Sequence, residues 1–273
     1  MSFFIACDID HTLLSDSGEL LSQNVEALHR AISQGATVVL ATARSYAGAK
    51  PIHDALKLET PIVVSNGTLV CEPDGLVLKA YAIDPHIAEI LVNLYTETPH
   101  HWSFRTSERA YIHPSFETKN SPFADQKHYL PTERERLEDA TKGYSSLITA
   151  SLFGQGMRPF FDRHSWESMN LVADFYPPSH YTHLETMSTM CQKASKGNAV
   201  DWLRNYLGLA NAPTLCLGDS VADATMFSLG IGVAPANASD IVRAQAHWVA
   251  PHCDEGSVAA ALERFVFQGV STQ

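Results

Sequence analysis

"FFIACDIDHTLL", residues Phe3 to Leu14, sets an apolar run against two aspartates, Asp8 and Asp10, placed one residue apart. Residues two apart in an extended chain point to the same side, so the two carboxylates converge if the strand ends there. Close carboxylates repel one another unless a cation or a shared proton relieves them. Alone, the pair also suits a turn after a strand, because Asp readily hydrogen-bonds nearby backbone. A second stretch weighs against that bland reading. In "LCLGDSVAD", residues 215–223, another apolar run ends in Gly218-Asp219, and Asp223 follows four residues on. Two strands therefore deliver carboxylates to one sheet edge, and in open α/β sheets the ligand crevice lies beyond the carboxyl ends of the strands.

Outward from Phe3 the first third alternates "FFIACDI", "QNVEALHRAISQG", "ATVVLAT", "AGAKPIHDALKLE" and "PIVVSNG". Short apolar runs suit parallel strands buried on both faces, while Val25, Leu28, His29 and Ile32 fall at helical spacing. Gly35 is placed to cap the first helix, and Asn66-Gly67 marks a turn after the third strand. The last third repeats the rhythm from "KGNAVDWLRNYLG" to "EGSVAAALERF". The middle is richer in His, aromatic and charged residues. It shows strand-like pieces at "HWSFRT", "RAYIHP", "SLITASLF" and "SMNLVADF" and helical patterns at "PHIAEILVNLY" and "TERERLEDATKG". The expected fold class is α/β: a doubly wound, mainly parallel Rossmann-like core sheet formed by residues 1–82 and 188–273, with an α+β cap domain, 83–187, inserted between them.

Composition narrows the partners. The 273 residues carry 30 acidic against 19 basic side chains, a net charge of -11, without a Lys/Arg block. This argues against nucleic acid and anionic membrane surfaces, and requires that an anionic substrate be drawn by local cations instead. Five scattered cysteines without a CxxC pair argue against a disulfide framework or a zinc site. The apolar N-terminal stretch lacks a basic lead and meets Asp8 after a few residues, and no run approaches the roughly 18 apolar residues of a membrane span, so the expected location is cytoplasmic.

"DIDHTLL" resembles the DxDxT motif of the haloacid-dehalogenase-like hydrolases, and "GDSVAD" resembles their acidic GDxxxD motif. Thr42, closing "TVVLAT", and Lys196, in "ASKGNAVDWL", match the remaining two elements in order. The likeness covers roughly 1–82 and 188–273, and the place of the insertion is similar to that in Cof-like and sugar-phosphatase-like members with a large C2-type cap.

That resemblance implies a Mg2+-dependent phosphomonoester hydrolase, with a small phosphometabolite, a sugar phosphate by preference, as substrate. Asp8 would attack phosphorus and form an aspartyl-phosphate; an ordinary Asp is ionised at neutral pH, as a nucleophile must be. Asp10 would protonate the leaving oxygen and then deprotonate water. The metal would sit on Asp8, the Asp10 backbone carbonyl and Asp219, with Asp223 either a ligand or a residue that holds the ligands. Thr42, the neighbouring backbone at Ala43, and Lys196 would hold the phosphoryl oxygens. Lys196 follows a candidate N-cap, Ser195; a cation there opposes the helix dipole and makes better sense with an anion nearby. Lys193 is a rival in the same stretch.

Three positions depart from the family pattern. His11 stands where Cof-like members usually have Gly, Ala43 replaces the Gly of TGR, and Ala222 replaces a frequent Asn. His11 and Arg44 are further candidates for substrate contact. Two other readings stay open: a phosphosugar mutase, and a phosphometabolite-binding protein without turnover. A generic dinucleotide fold is disfavoured because "DIDHTLLSDSG" lacks GxGxxG.

Overall fold

The computed structural model describes residues 2–107, 109–113, 134–135, 146–176 and 184–268. The chain divides into two compact units, Met1–Ala43, Ala49–Leu78 and Ser195–Gln273 forming one, Arg44–Gly48 and Lys79–Ala194 the other.

The first unit begins with β1 (Phe4–Cys7), α1 (Ser22–Ser33), β2 (Thr37–Leu40), α2 (Tyr46–Ala55), β3 (Ile62–Val64), β4 (Leu69–Cys71) and β5 (Val77–Ala80). All four residues of β1 are buried, as expected for a central parallel strand covered on both faces. Gly35 follows α1 with φ +90°, a left-handed conformation that Gly adopts without steric penalty. "SNG" turns β3 into an antiparallel hairpin with β4.

The second unit holds α3 (Pro85–Thr96), β6 (His101–Thr106), β7 (Ala110–Ile112), β8 (Arg134–Glu135), β9 (Leu147–Gly154), α4 (Arg158–Arg163), β10 (Leu171–Tyr176) and β11 (Glu185–Cys191). Its sheet runs in the order β10-β11-β9-β6-β7-β8. Asp84 caps α3, accepting from the His86 and Ile87 amides. Leu91, Val92 and Tyr95 of α3 then pack on Trp102, Phe104, Ala150, Leu152 and Met187 of the sheet. By strand alternation Ser103, Arg105, Thr149, Ser151 and Ser188 occupy the other face. There Arg105 Nε donates to Thr149 Oγ1 at 2.9 Å, and the Ser151 and Ser188 hydroxyls lie 3.2 Å apart.

Two expectations need correction here. A boundary between 187 and 188 cuts β11, whose Glu185–Met190 pairs with β9; the second unit runs on to Ala194. The stretch "TERERLEDATKG", read as helical, contains Arg134–Glu135, which pair in parallel with β7, while its other residues lie outside the described ones.

The chain then completes the first unit with α5 (Lys196–Tyr206), β12 (Thr214–Leu217), α6 (Val221–Ala224), β13 (Ile231–Pro235), α7 (Asp240–Arg243), β14 (Trp248–Ala250) and α8 (Ser257–Leu262). The five-stranded parallel sheet has the order β14-β13-β12-β1-β2, and a parallel bridge from Ala41 to Val63 brings β3 alongside β2. In this register Cys7 lies opposite Leu217 on one side and Leu40 on the other. The residues that follow these three, Asp8, Gly218-Asp219 and Ala41-Thr42, thus leave the sheet at one edge. No helix among the described residues is long and apolar enough to cross a membrane.

Candidate active site

Beyond Cys7 the chain enters a wide turn that closes with Leu14 N donating to Ile9 O at 2.9 Å. Asp8 at its start is buried, and Asp10 is half-buried with extended backbone. His11 adopts φ +55°, the left-handed region that explains why Gly suits this place. Side chains from distant segments hold the turn: Asn237 Nδ2 donates to His11 O at 2.8 Å, Ser257 Oγ to Thr12 O at 2.9 Å, and Asn24 Nδ2 to Leu13 O at 3.0 Å.

Lys196 joins the carboxylates. Its Nζ lies 2.7 Å from Asp8 Oδ1 and 2.6 Å from Asp223 Oδ1, and all three side chains are at most 5% exposed. Ser195 starts α5 at this point because its hydroxyl accepts from Asn198 N at 3.0 Å. Gly67 allows the close approach: it has φ +84°, and a Cβ there would lie 2.2 Å from Ser195 O and 2.7 Å from Lys196 N. Between the two rival lysines, Lys196 is the one drawn into the cluster, whereas Lys193 is exposed.

Asp223 is fixed from its own side. Ser220 donates to Asp223 Oδ2 from its backbone N at 3.0 Å and from Oγ at 2.6 Å, and Asp223 N donates back to Ser220 Oγ at 3.4 Å, a reciprocal capping box that opens α6. Only Oδ1, already shared with Lys196, retains a lone pair for an ion. Gly218 is required beside it, since a Cβ there would meet Asp223 Cβ at 2.1 Å. Asp219 is half-buried and accepts a long bond from Thr12 Oγ1 at 3.4 Å. One oxygen each from Asp8, Asp219 and Asp223 fall within 4.8 Å of one another.

Such crowding raises proton affinity. Burial, then repulsion from Asp223, lifts the Asp8 carboxyl well above the ordinary range, while Lys196 pulls it back. Burial and Asp223 push Asp219 up to about 6, against smaller opposing effects of His11 and Lys196. Burial disfavours the Lys196 ammonium, but Asp223 and Asp8 overcome that and hold it charged. Three carboxylates against one ammonium leave two negative charges in excess, and the donors are all hard oxygens. The set therefore fits a divalent cation of the Mg2+ type.

The remaining sequence candidates have these places. Thr42 is fully buried at the end of β2, its N–H given to Val63 O at 2.9 Å and its carbonyl accepting from Asn66 N at 3.0 Å. Its own amide is thus committed to β3. The His11 ring is turned to Asp16, with Nδ1 2.8 Å from Oδ1. Arg44 groups with the second unit and donates from Nη1 to Gly48 O at 3.2 Å. The sequence reading missed Ser220 and Asn237. Ser220 carried a signal, because Ser-x-x-Asp is the capping-box pattern; Asn237 carried none beyond its place in "GVAPANAS".

Residues 5–262 match the family of haloacid dehalogenase-like hydrolases, and the chain belongs to that family. It is similar over 96% of its length to the HMP-PP phosphatase of Cronobacter sakazakii, 25% identical and covering 94% of that protein. It is likewise similar to phosphatase YwpJ of Bacillus subtilis, 24% identical over 96% of this chain and 99% of that one. The fold is shared with the HAD subclass IIB sugar phosphatase BT4131 at a TM-score of 0.75 and 19% identity, covering 96% and 98% of the two chains. The chain is thus a haloacid dehalogenase-like hydrolase with phosphatase-named relatives along nearly its whole length.

Proposed function

We propose that this protein is a divalent-metal-dependent hydrolase of small phosphomonoesters, sugar phosphates foremost, working through an aspartyl-phosphate on Asp8. The observation that carries the reading is the Asp8–Lys196–Asp223 arrangement beside Asp219: a buried carboxylate with a fixed cation on one oxygen, at a sheet edge where an anion must be received.

In this mechanism Asp8 attacks phosphorus as the ester oxygen departs, and Asp10 donates the proton that the leaving alcohol needs. Asp10, now ionised, takes a proton from water as that water attacks the phosphorus of the acyl phosphate, releasing phosphate and restoring Asp8. Lys196 supplies fixed positive charge. The Thr42 hydroxyl and the Ala43 N–H give directed hydrogen bonds to the equatorial oxygens, where charge gathers in the transition state. Asp8, Asp219, the Asp10 carbonyl and the remaining lone pair of Asp223 Oδ1 would hold Mg2+, which when bound neutralises phosphoryl charge and keeps the crowded carboxylates ionised.

We assign substrate choice to the second unit, the cap. Its Ser103, Arg105, Thr149, Ser151 and Ser188 offer one guanidinium among hydroxyls, a donor set suited to a polyhydroxylated anion. The sugar phosphatase name of the structural neighbour supports this class. Phosphate release from a panel of phosphomonoesters, with Mg2+ and with EDTA, tests the reading. Metal-dependent release that disappears in Asp8→Asn is expected. Release unaffected by EDTA or by Asp8→Asn would refute it, and phosphoryl exchange between two sugar positions without release would replace hydrolase by mutase.

A further inference from the structure

The turn after β1 meets the turn that leads into α8 at a second cluster of ligating atoms, one that shares no residue with the carboxylates around Lys196. Asp16 comes from the first turn, and His252, Cys253 and Asp254 from the other. One ligand atom from each lies within 4.8 Å of all the others. Cys253 Sγ is 3.4 Å from Asp16 Oδ1, 3.8 Å from Asp254 Oδ1 and 3.7 Å from His252 Nδ1. His252 Nδ1 is 3.5 Å from Asp254 Oδ2, and its Nε2 is 3.8 Å from Asp16 Oδ2.

The spacings about Cys253 Sγ and His252 Nδ1 are near those between donors of one tetrahedral ion, while Asp16 meets His252 through the other ring nitrogen and supplies its oxygen from the Cys253 side. Bonds of about 2.3 Å to sulfur and about 2.0–2.2 Å to nitrogen and oxygen place neighbouring donors roughly 3.3–3.6 Å apart. We propose that Asp16, His252, Cys253 and Asp254 form a second cation site, selective for a thiophilic divalent ion of the Zn2+ class. Hard Mg2+ has no use for a thiolate or an imidazole here, so the donor set discriminates against the ion expected at the carboxylates.

The surroundings favour a site over a mere hydrogen-bonded turn. Among the described residues the two carboxylates make their ion-pair contacts with imidazoles, those of His252 and His11. Cys253 is fully buried, while Asp16 and Asp254 are about half exposed, which gives an ion a way in. The frame is held by bonds to the backbone and by contacts to the ligand carboxylates themselves. Asn237 Oδ1 accepts from Cys253 N at 2.9 Å, and Asp254 Oδ1 accepts from Asp16 N at 2.8 Å. His11 Nδ1 bonds the Asp16 carboxylate, the kind of supporting contact that orients a ligand. On binding, the sulfur–metal bond forms as the thiol proton leaves to solvent, and Nδ1 of His252 exchanges its long bond from Asp254 N, 3.3 Å, for the ion. No oxidation is involved. Because Asn237 also holds His11 O, the ion would clamp the segment that carries Asp10.

The inference stands apart from the phosphatase mechanism, and so does its test. The full-length protein is stripped with EDTA, saturated with Mg2+, and titrated with Co2+ as a spectroscopic stand-in for Zn2+. One equivalent should produce a thiolate-to-Co2+ charge-transfer band and a raised melting temperature; Zn2+ displacing Co2+ should remove the band and keep the raised melting temperature. Cys253→Ser should lose the band, His252→Gln should weaken Co2+ binding tenfold or more, and Asp219→Asn should keep both. Absence of the band in large Co2+ excess, or its persistence in Cys253→Ser, overturns the proposal. Should Cys253→Ser fail to fold, unchanged Co2+ affinity in His252→Gln overturns it instead.

Discussion

Replacing Lys196 with methionine keeps most of the side-chain volume and deletes the ammonium that bonds Asp8 at 2.7 Å and Asp223 at 2.6 Å. Both carboxylates are then buried without that partner. Breaking a buried ion pair by removing one member costs about 3–5 kcal/mol, because the surviving charge has lost its solvent as well. For a folded unit of this size each kcal/mol shifts the midpoint by about 2–4 °C, so the melting temperature in EDTA should fall by roughly 6–20 °C. The loss should shrink when Mg2+ is added, since an ion binding only the folded state stabilises it by mass action. The raised Lys196 pKa keeps the ammonium charged throughout the range below the unfolded value of 10.5, so its own titration adds no pH dependence between pH 5 and 8. Lys193→Ala is the control and should stay within about 0.5 kcal/mol of the parent, as surface changes do. Thermal or urea unfolding of the two variants checks the reasoning. A Lys196→Met protein that loses less than Lys193→Ala, or one whose stability ignores Mg2+, would refute it.

Asp219 gives a pH signature. Its value near 6 lies above the unfolded 3.8, so between about pH 4 and 6 the folded state binds more protons, and stability in EDTA falls as pH rises through that window, by at most about 3 kcal/mol. Asp219→Asn should flatten that slope and stabilise the metal-free protein at pH 7 while abolishing turnover; equal slopes in melts of parent and variant would contradict this. Gly67→Ala puts a Cβ 2.2 Å from Ser195 O at a positive φ, so stability should drop by about 1–3 kcal/mol and phosphatase activity should fall with the displaced Lys196. Ser220→Ala removes one of two bonds to Asp223 Oδ2 and the cap of α6, for a loss of about 1 kcal/mol in urea unfolding and a weaker Mg2+ requirement curve.

What the chain disclosed beforehand follows from which interactions are local. β1, β2 and β12 were legible because parallel strands covered on both faces must be apolar along their whole length, and the residue after each run was then marked by its polarity. The register that sets Cys7 between Leu217 and Leu40 is invisible in any one segment, since it arises from pairing across some 30 and 210 residues. β11 escaped notice because "ETMSTMC" mixes Thr, Ser and Met, with one face on Tyr95 and the other bearing Ser188; its apolar signal is too diluted to stand out. β8 is two residues long, too short for a period-2 pattern, so the Arg/Glu composition around it spoke only of helix. Asp16 and Cys253 are 237 positions apart and share no spacing rule, which is why five scattered cysteines argued against a metal site until the fold brought one of them to two carboxylates and an imidazole.

Asp8 shows why this site is built at the expense of the resting fold. On the proposed mechanism Asp8 is the nucleophile; in water it would be ionised without help, yet it would also be solvated and would have to shed that water before reaching phosphorus. Burying it removes the solvent but raises its proton affinity, and Asp223 raises it further. Lys196 restores part of the ionised population, and it cannot restore all of it, because the same ammonium is divided between two carboxylates. On the proposed mechanism a divalent ion would make up the deficit: the ion would oppose the carboxylates, and the phosphate dianion would then meet a site whose excess negative charge has been cancelled. Lys196 placed further from Asp223 would lower the Asp8 pKa less ambiguously, but it would leave Asp223 and the Ser220 turn without their anchor. The geometry resolves this conflict in favour of position, and it leaves charge balance to the ligands.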